Sequence, residues 1–309
     1  FGQRQITPDV LPAVGKIGKI GRRIDPDEPR LQRHIFLLFP FPLILLLLFL
    51  STGNQDRPHH YDQGGFMIYR QGLLAVDPPV YRKVAGPQQP TEVHNTLLIG
   101  GQNQRRCRGQ WFRTLEEFED NRTGGNLLET GDILSYTEAG DWASVSCQYA
   151  QSYPDSLVAS CVRQLLFIRP DRILVVDQLT ALPGKTLPEV QWLLQLPVEP
   201  ERLGRSVTAS DSTSWLTCSD LTADGTGGTA ALEVTATEVN THRVSYRYSA
   251  GGRSLTMVHS LRTGDGKPMQ RDVAVSSDSK DDRIVITAEG VQFQFLKKDD
   301  YAVSRMGKP

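Results

Sequence analysis

Short apolar runs and alternating polar and apolar positions fill most of the chain after residue 65. Gly, Pro, Asp and Ser bound these runs, which is typical of β-strands separated by turns. The clearest are FMIYR, LLAVD, NTLLIG, QLLFI, RILVVDQL, VQWLLQL, ALEVTATEV, RVSYRYS, SLTMVHSL, RIVITAEG and VQFQFLKK. After residue 70, only the segment LEEFED suggests a helical turn. The pattern predicts an all-β fold, a large antiparallel β-sandwich of stacked sheets.

The N-terminal part of the chain has a different pattern. Residues 8–22 combine an early proline, spaced apolar residues and several cations, and turn-forming residues follow them. This composition predicts a short helical or linker segment ahead of the sandwich. We therefore divide the chain into residues 1–34 and a β-sandwich domain of residues 35–309.

The most hydrophobic stretch is the sequence IFLLFPFPLILLLLFL at residues 35–50. Sixteen residues in a helix would reach only about 24 Å, against a hydrocarbon core of ~30 Å, and Pro40 and Pro42 interrupt the run. One interpretation is a buried strand, or two strands joined at the prolines. The alternatives are a signal or anchor segment in contact with a membrane, and an artefact of the gene boundary.

Charge and cysteine content exclude several classes of protein. The 34 Lys and Arg residues nearly balance the 35 Asp and Glu residues, so there is no global electrostatic basis for binding nucleic acid. The four cysteines are widely spaced without a CxxC pair, which argues against a zinc ribbon or a thioredoxin-like site. The cysteine spacing is compatible with one or two disulfides and with none.

A group of histidines and an aspartate predicts a metal site. His59 and His60 lie in RPHHYDQGGF, Asp77 ends LLAVD, and His94 lies in TEVHNTLLIG. Imidazole nitrogen and carboxylate oxygen suit a divalent ion such as zinc, and three protein ligands leave a position for water or substrate. A His and Asp count alone is weak evidence, because such residues are common at turns and strand ends.

The order of these motifs adds more. The run HHYDQGGFMIYRQGLLAVDPPVY, followed by HNTLLIGGQNQ, resembles the sandwich domain of heparinase II/III-like polysaccharide lyases, in which an H-x-D-x-G-x-F-like segment precedes an Asp-ended strand and a His-Asn-Thr strand. The later RQLLFIRPDRILVVDQL resembles a strand-turn-strand segment of the same family. The resemblance implies a mainly structural zinc ion held by His60, Asp77 and His94. It also makes residues 1–34 a linker or the remnant of an upstream helical domain.

The resemblance further implies an activity. The family cleaves acidic, uronate-containing polysaccharide by β-elimination, with its main base and acid on a helical toroid that precedes the sandwich. We therefore expect a lyase portion with little or no turnover by itself, located in the cell envelope, the periplasm or outside the cell, and possibly membrane-anchored through residues 35–50. The alternative is a non-catalytic carbohydrate-binding or structural envelope protein.

Two residues are candidates for proton transfer within this chain. His59 neighbours the position where the family often places a substrate-facing histidine, which here is Pro58. Tyr81 follows Asp77 where the family commonly has an aromatic residue. Otherwise His59 is a solvated turn residue and Tyr81 points elsewhere.

Four residues are candidates for binding the polysaccharide. Arg105 and Arg106 can pair with acidic groups, and Trp111 can stack on a pyranose ring. Asn95 either hydrogen-bonds a ligand or satisfies backbone groups at a strand end. For the first three the alternative is a solvated loop with one buried aromatic side chain.

Overall fold

A computed structural model describes residues 33–38, 44–50, 61–77, 90–104, 131–222, 230–237, 240–249, 251–268, 276–280, 283–288, 290–296 and 301–306. All of them belong to one compact unit, Leu31–Pro309. They form antiparallel strands and two 3₁₀ turns, Thr91–Val93 and Ala150–Ser152, and no α-helix occurs among them. The all-β prediction is confirmed. The predicted N-terminal helix or linker falls almost wholly outside the described residues.

Four strands make the N-terminal sheet, in the order β1-β2-β3-β4. They are β1 (Arg33–Leu38), β2 (Ile44–Leu50), β3 (Phe66–Arg70) and β4 (Leu73–Ala75). The apolar stretch at residues 35–50 therefore contributes two paired strands, as one of its interpretations predicted. No helix in the described part of the chain is long and apolar enough to span a membrane. Membrane contact by this stretch stays a prediction.

Eight strands make the central sheet, in the order β11-β12-β13-β16-β9-β8-β7-β6. They are β6 (Asp132–Ala139), β7 (Trp142–Gln148), β8 (Ser160–Ile168), β9 (Arg172–Thr180), β11 (Glu201–Leu203), β12 (Ser206–Ser210), β13 (Ser214–Asp220) and β16 (Ser254–Asp265). The run ILVV in β9 is continuously apolar because this strand is buried on both faces of the sheet.

Two further sheets of four strands complete the fold. The outer sheet has the order β14-β15-β10-β5, with β5 (Leu97–Ile99), β10 (Val190–Leu196), β14 (Ala230–Ala236) and β15 (His242–Tyr248). The C-terminal sheet consists of β17 (Ser276–Lys280), β18 (Arg283–Ala288), β19 (Val291–Leu296) and β20 (Val303–Arg305), in that order.

Each face of the central sheet carries its own hydrophobic core. On one face, Ile173 and Val175 belong to a large core with Phe66 of the N-terminal sheet and Trp192 of the outer sheet. On the other face, side chains that alternate with these, Leu174 and Val176 among them, pack with β18 and β19 of the C-terminal sheet. This period-2 alternation is what a strand between two packed layers requires. The stacked-sheet prediction is confirmed.

The described cysteines form no disulfide. Cys147, Cys161 and Cys218 are buried free thiols, and Cys107 lies outside the described residues. Burial raises the pKa of Cys147 to about 12, so this thiol stays protonated at neutral pH.

Candidate metal centre

Three loop segments bring two carboxylates and one imidazole together beside the large core. One ligand atom from each of Asp62, Asp77 and His94 lies within 4.8 Å of the others. Asp77 and His94 were predicted as ligands from the sequence. Asp62 was not.

Asp62 is held in a tight turn ahead of β3. The Gly65 amide donates to the Asp62 carbonyl at 2.7 Å, which closes the turn. Gly64 has φ of +72°, and a Cβ atom there would lie 2.6 Å from the Tyr149 ring. Position 64 therefore requires glycine, both for its backbone conformation and for its close packing against Tyr149. This explains the glycine two residues after Asp62 in the motif.

Asp77 and His94 come from two segments that meet the same edge of β10 in the outer sheet. Asp77 lies two residues after β4, where the Val76 amide donates to the Gln195 carbonyl of β10 at 3.0 Å. His94 follows the 3₁₀ turn Thr91–Val93, and its amide donates to Thr91 at 3.2 Å. The first of these bonds ties the Asp77 segment to β10, and the second closes the turn that precedes His94.

Asn95 joins the three segments. Its side-chain amide donates to the carbonyls of Phe66 and Val76, at 2.7 and 2.9 Å, and its side-chain oxygen accepts from the Gln195 amide at 2.6 Å. The residue is fully buried. Asn95 thus satisfies backbone groups at strand ends, as one of its two predicted roles requires. Its bonds link the backbone next to Asp77 with the strand that follows Asp62.

A second hydrogen-bonded group fixes the Asp62 turn against the 90–104 segment. The side chain of Gln104 accepts from the Gln63 amide at 2.9 Å and donates to the Gln63 carbonyl at 2.9 Å. Thr96 donates to the same carbonyl at 2.7 Å. The backbone on the C-terminal side of Asp62 is thus held by two buried side chains.

The electrostatics of the cluster favour a cation. Burial raises the pKa of Asp62 to about 6, the nearby His94 lowers it and the like charge of Asp77 raises it. The Nδ1 atom of His94 lies 2.5 Å from an Asp77 carboxylate oxygen. The imidazole is fully buried, whereas Asp62 and Asp77 are both partly exposed, so the centre borders solvent on its carboxylate side.

These residues fit a divalent ion. Zinc binds imidazole nitrogen and carboxylate oxygen at about 2.0–2.2 Å, so atoms that share one ion lie no more than about 4.4 Å apart. One ligand atom from each residue lies within 4.8 Å of the other two, so a contraction of at most a few tenths of an ångström brings every pair within that limit. In the alternative arrangement, the carboxylate of Asp77 orients the His94 ring for binding, as carboxylates commonly do around zinc.

The remaining predicted site residues lie outside the described residues: His59, His60, Tyr81, Arg105, Arg106 and Trp111. Their roles stay predictions. Asp62 lies within the quoted motif HHYDQGGF, so an acidic residue close to the predicted ligands was the available signal for it.

Comparisons with known proteins bear on the fold. No protein-family model and no curated protein sequence matches the chain. Solved structures do match it. One is a heparinase III structure, which matches with a TM-score of 0.60 and 12% sequence identity, and the match covers 88% of this chain and 40% of the heparinase III chain. The chain has the fold of part of heparinase III. The resemblance drawn from the motifs is confirmed at this level.

Further structures give the same result. The heparan sulfate lyase HepC from Pedobacter heparinus matches with a TM-score of 0.58 and 16% identity, over 82% of this chain and 39% of that one. Another heparinase III structure matches with a TM-score of 0.59 and 13% identity, over 84% and 40%. The chain thus spans about 40% of the length of these lyases, and identities this low relate the proteins by fold alone.

Proposed function

We propose that this chain is the β-sandwich portion of a polysaccharide lyase that acts on acidic, uronate-containing polysaccharide in the cell envelope or outside the cell. One observation carries the proposal. On a fold shared with heparinase III, the side chains of Asp62, Asp77 and His94 lie close together, and this cluster supports the proposal.

The proposed reaction is β-elimination. A base removes the proton on C5 of the uronate, the bond from C4 to the linking oxygen breaks, and a C4–C5 double bond forms while the departing oxygen takes up a proton. Histidine and tyrosine suit these proton transfers because each can be tuned toward neutral pH. Within this chain, His59 and Tyr81 are the proposed participants, and Arg105, Arg106 and Trp111 are the proposed contacts to the polymer.

Zinc is the proposed ion, with His60, Asp77 and His94 as ligands and Asp62 next to them. When bound, the ion would cross-link the segments that carry these side chains and so order the loops at this edge of the sandwich. Two acidic groups beside a buried imidazole support a cation at this position.

Metal content of the purified full chain tests the site. We expect about one zinc ion per chain, lost together with thermal stability in His60→Ala and His94→Ala variants. A His242→Ala variant is the matched control, because this histidine lies at the start of β15 and outside the cluster. A folded wild-type chain without metal would contradict the zinc site and favour a non-catalytic sandwich.

We also propose that the chain by itself has little or no turnover, and an activity assay tests this. Incubation of the chain with heparan sulfate or alginate should give little unsaturated uronate, as followed by the ultraviolet absorbance of the new double bond. Binding of the same polymers should weaken with salt and in an Arg105→Ala, Arg106→Ala double variant. Robust product formation by the chain alone would show that its own residues suffice for catalysis.

A further inference from the structure

A buried ion pair lies directly behind the metal centre. Arg163 on β8 and Asp177 on β9 face each other in the central sheet, and neither side chain is exposed. The guanidinium binds the carboxylate in a two-pronged manner, with the Nε and Nη2 atoms 2.7 and 3.0 Å from the two carboxylate oxygens. Trp192 of the outer sheet also donates to Asp177, at 3.0 Å. The carboxylate is therefore fixed from two sheets.

The free end of the guanidinium reaches two of the segments that carry the centre. The Nη1 atom of Arg163 donates to the carbonyl of Gly64 at 2.6 Å and to the carbonyl of Asn95 at 3.0 Å. Gly64 lies two residues after Asp62, and Asn95 directly follows His94. One side chain thus ties the backbone beside one ligand candidate to the backbone beside another.

Stability alone is a poor explanation for this pair. A buried ion pair loses the hydration of both charges, and well-packed apolar residues of similar volume often serve a core equally well. The planar guanidinium offers something that an apolar residue lacks, which is several N–H donors at fixed angles. Here two face Asp177 and two face carbonyls of separate loops.

We infer that Arg163, oriented by Asp177, is a positioning residue of the metal centre that sets the spacing between the Asp62 turn and the His94 segment. It does not itself touch the ion. The inference rests on the proposed zinc site and adds to it a part of the central sheet that lies far from the ligands in sequence.

The test is the zinc affinity of the folded full chain, measured by competition with a chromophoric chelator. Lysine at position 163 keeps the positive charge but has no fork to span two carbonyls and a carboxylate. We expect Arg163→Lys to weaken zinc binding by about 10- to 100-fold, the range typical of residues that support metal ligands. The absorption spectrum of the cobalt-substituted protein should also change, because it reports ligand geometry.

Two controls separate positioning from general stability. Arg70→Lys makes the same chemical change in another two-pronged pair, with Asp265, at the far end of β3. Ile286→Ala creates a cavity in the core on the opposite face of the central sheet. Both should lower the melting temperature of the metal-free chain and leave zinc affinity within about twofold of wild type.

Asp177→Asn is the second variant and covers the case in which Arg163→Lys does not fold. Asp177 accepts hydrogen bonds from Arg163 and Trp192 and from no described residue of the ligand loops, so a loss of zinc affinity in this variant would be transmitted through one of these two side chains. Unchanged affinity and an unchanged cobalt spectrum in a folded variant would overturn the inference while leaving the zinc site intact. A wild-type chain that binds no zinc would overturn both.

Discussion

His259 makes the stability of the fold depend on pH. The imidazole is fully buried on β16, stacked on Trp192 at a centroid distance of 3.9 Å and meeting Tyr246 edge-on at 5.1 Å. Its Nε2 atom lies 3.0 Å from the Tyr248 hydroxyl. Its Nδ1 atom is buried, and the described residues offer it no hydrogen-bond partner. An imidazolium would leave that N–H group unsatisfied inside an aromatic cluster.

Burial therefore lowers the pKa of His259 from 6.5 to about 4. The charged groups that face it partly cancel each other. Asp220 and Asp177 raise the pKa, whereas Arg163 and Arg205 lower it. The neutral ring is the form that the folded protein retains through mildly acidic pH.

The sign of the effect follows from proton uptake. Below about pH 6.5 the unfolded chain protonates this histidine, and the folded chain does not until about pH 4. The stabilisation that comes from keeping His259 neutral is fully present above pH 6.5. It is lost as the pH falls from 6.5 to 4, and it does not change further below pH 4. At about 1.36 kcal/mol for each pH unit in this window, the free energy of unfolding should fall by about 3 kcal/mol.

Denaturant unfolding at pH 7.5, 6, 5 and 4 measures this loss, with His259→Gln as the non-titrating comparison. Met257→Leu, a core change on the same strand, controls for altered packing. The difference between variants is essential because Asp62, with its raised pKa, stabilises the fold on acidification through much of the same range. If wild type and His259→Gln respond equally to pH, the imidazole is accessible to protons in the folded state and the reasoning fails.

Three further predictions concern packing. Gly64→Ala should lower the free energy of unfolding by roughly 2 to 4 kcal/mol, because it combines a positive φ with a clash against the Tyr149 ring; an unchanged denaturation midpoint would contradict this. Phe293→Ala should lower the free energy of unfolding by about 3 to 5 kcal/mol, because it opens a cavity in the core beneath the C-terminal sheet; an unchanged denaturation midpoint would contradict this. A thiol reagent should label at most one cysteine quickly in the native chain, and rapid reaction of two would contradict the burial of Cys147, Cys161 and Cys218.

The strands with large apolar residues could be predicted from the sequence. The run VQWLLQL corresponds to all of β10, Val190–Leu196, and the apolar part of β9 was equally clear. β7 does not stand out in the sequence although it is buried along most of its length, because after Trp142 its residues ASVSCQ are mostly small or polar. β11 was missed for the opposite reason, since its three residues are exposed and carry no hydrophobic pattern.

The candidate metal centre could be predicted only where its residues lie in local sequence motifs. Asp77 and His94 were identified because each follows or precedes a recognisable strand, whereas Asp62 was quoted within its motif without a role. Its proximity to the other two depends on how the turn before β3 meets the 90–104 segment. That contact involves Gln63, Thr96 and Gln104, whose types are unremarkable in a sequence.

The residue beside the candidate metal centre that the sequence predicts least well is Arg163, which is fully buried. Arg163 reaches Gly64 across 99 residues of sequence and Asn95 across 68, and nothing in the run VRQLLFI distinguishes it from a surface cation on an alternating strand. Because the central sheet is covered on both faces, no orientation of β8 leaves this charge in water, and Asp177 on the next strand supplies its counter-charge. A charged residue within a strand buried on both faces must have buried partners. Here these partners are Asp177 and the carbonyls of Gly64 and Asn95, which lie on two of the segments that carry the candidate metal ligands.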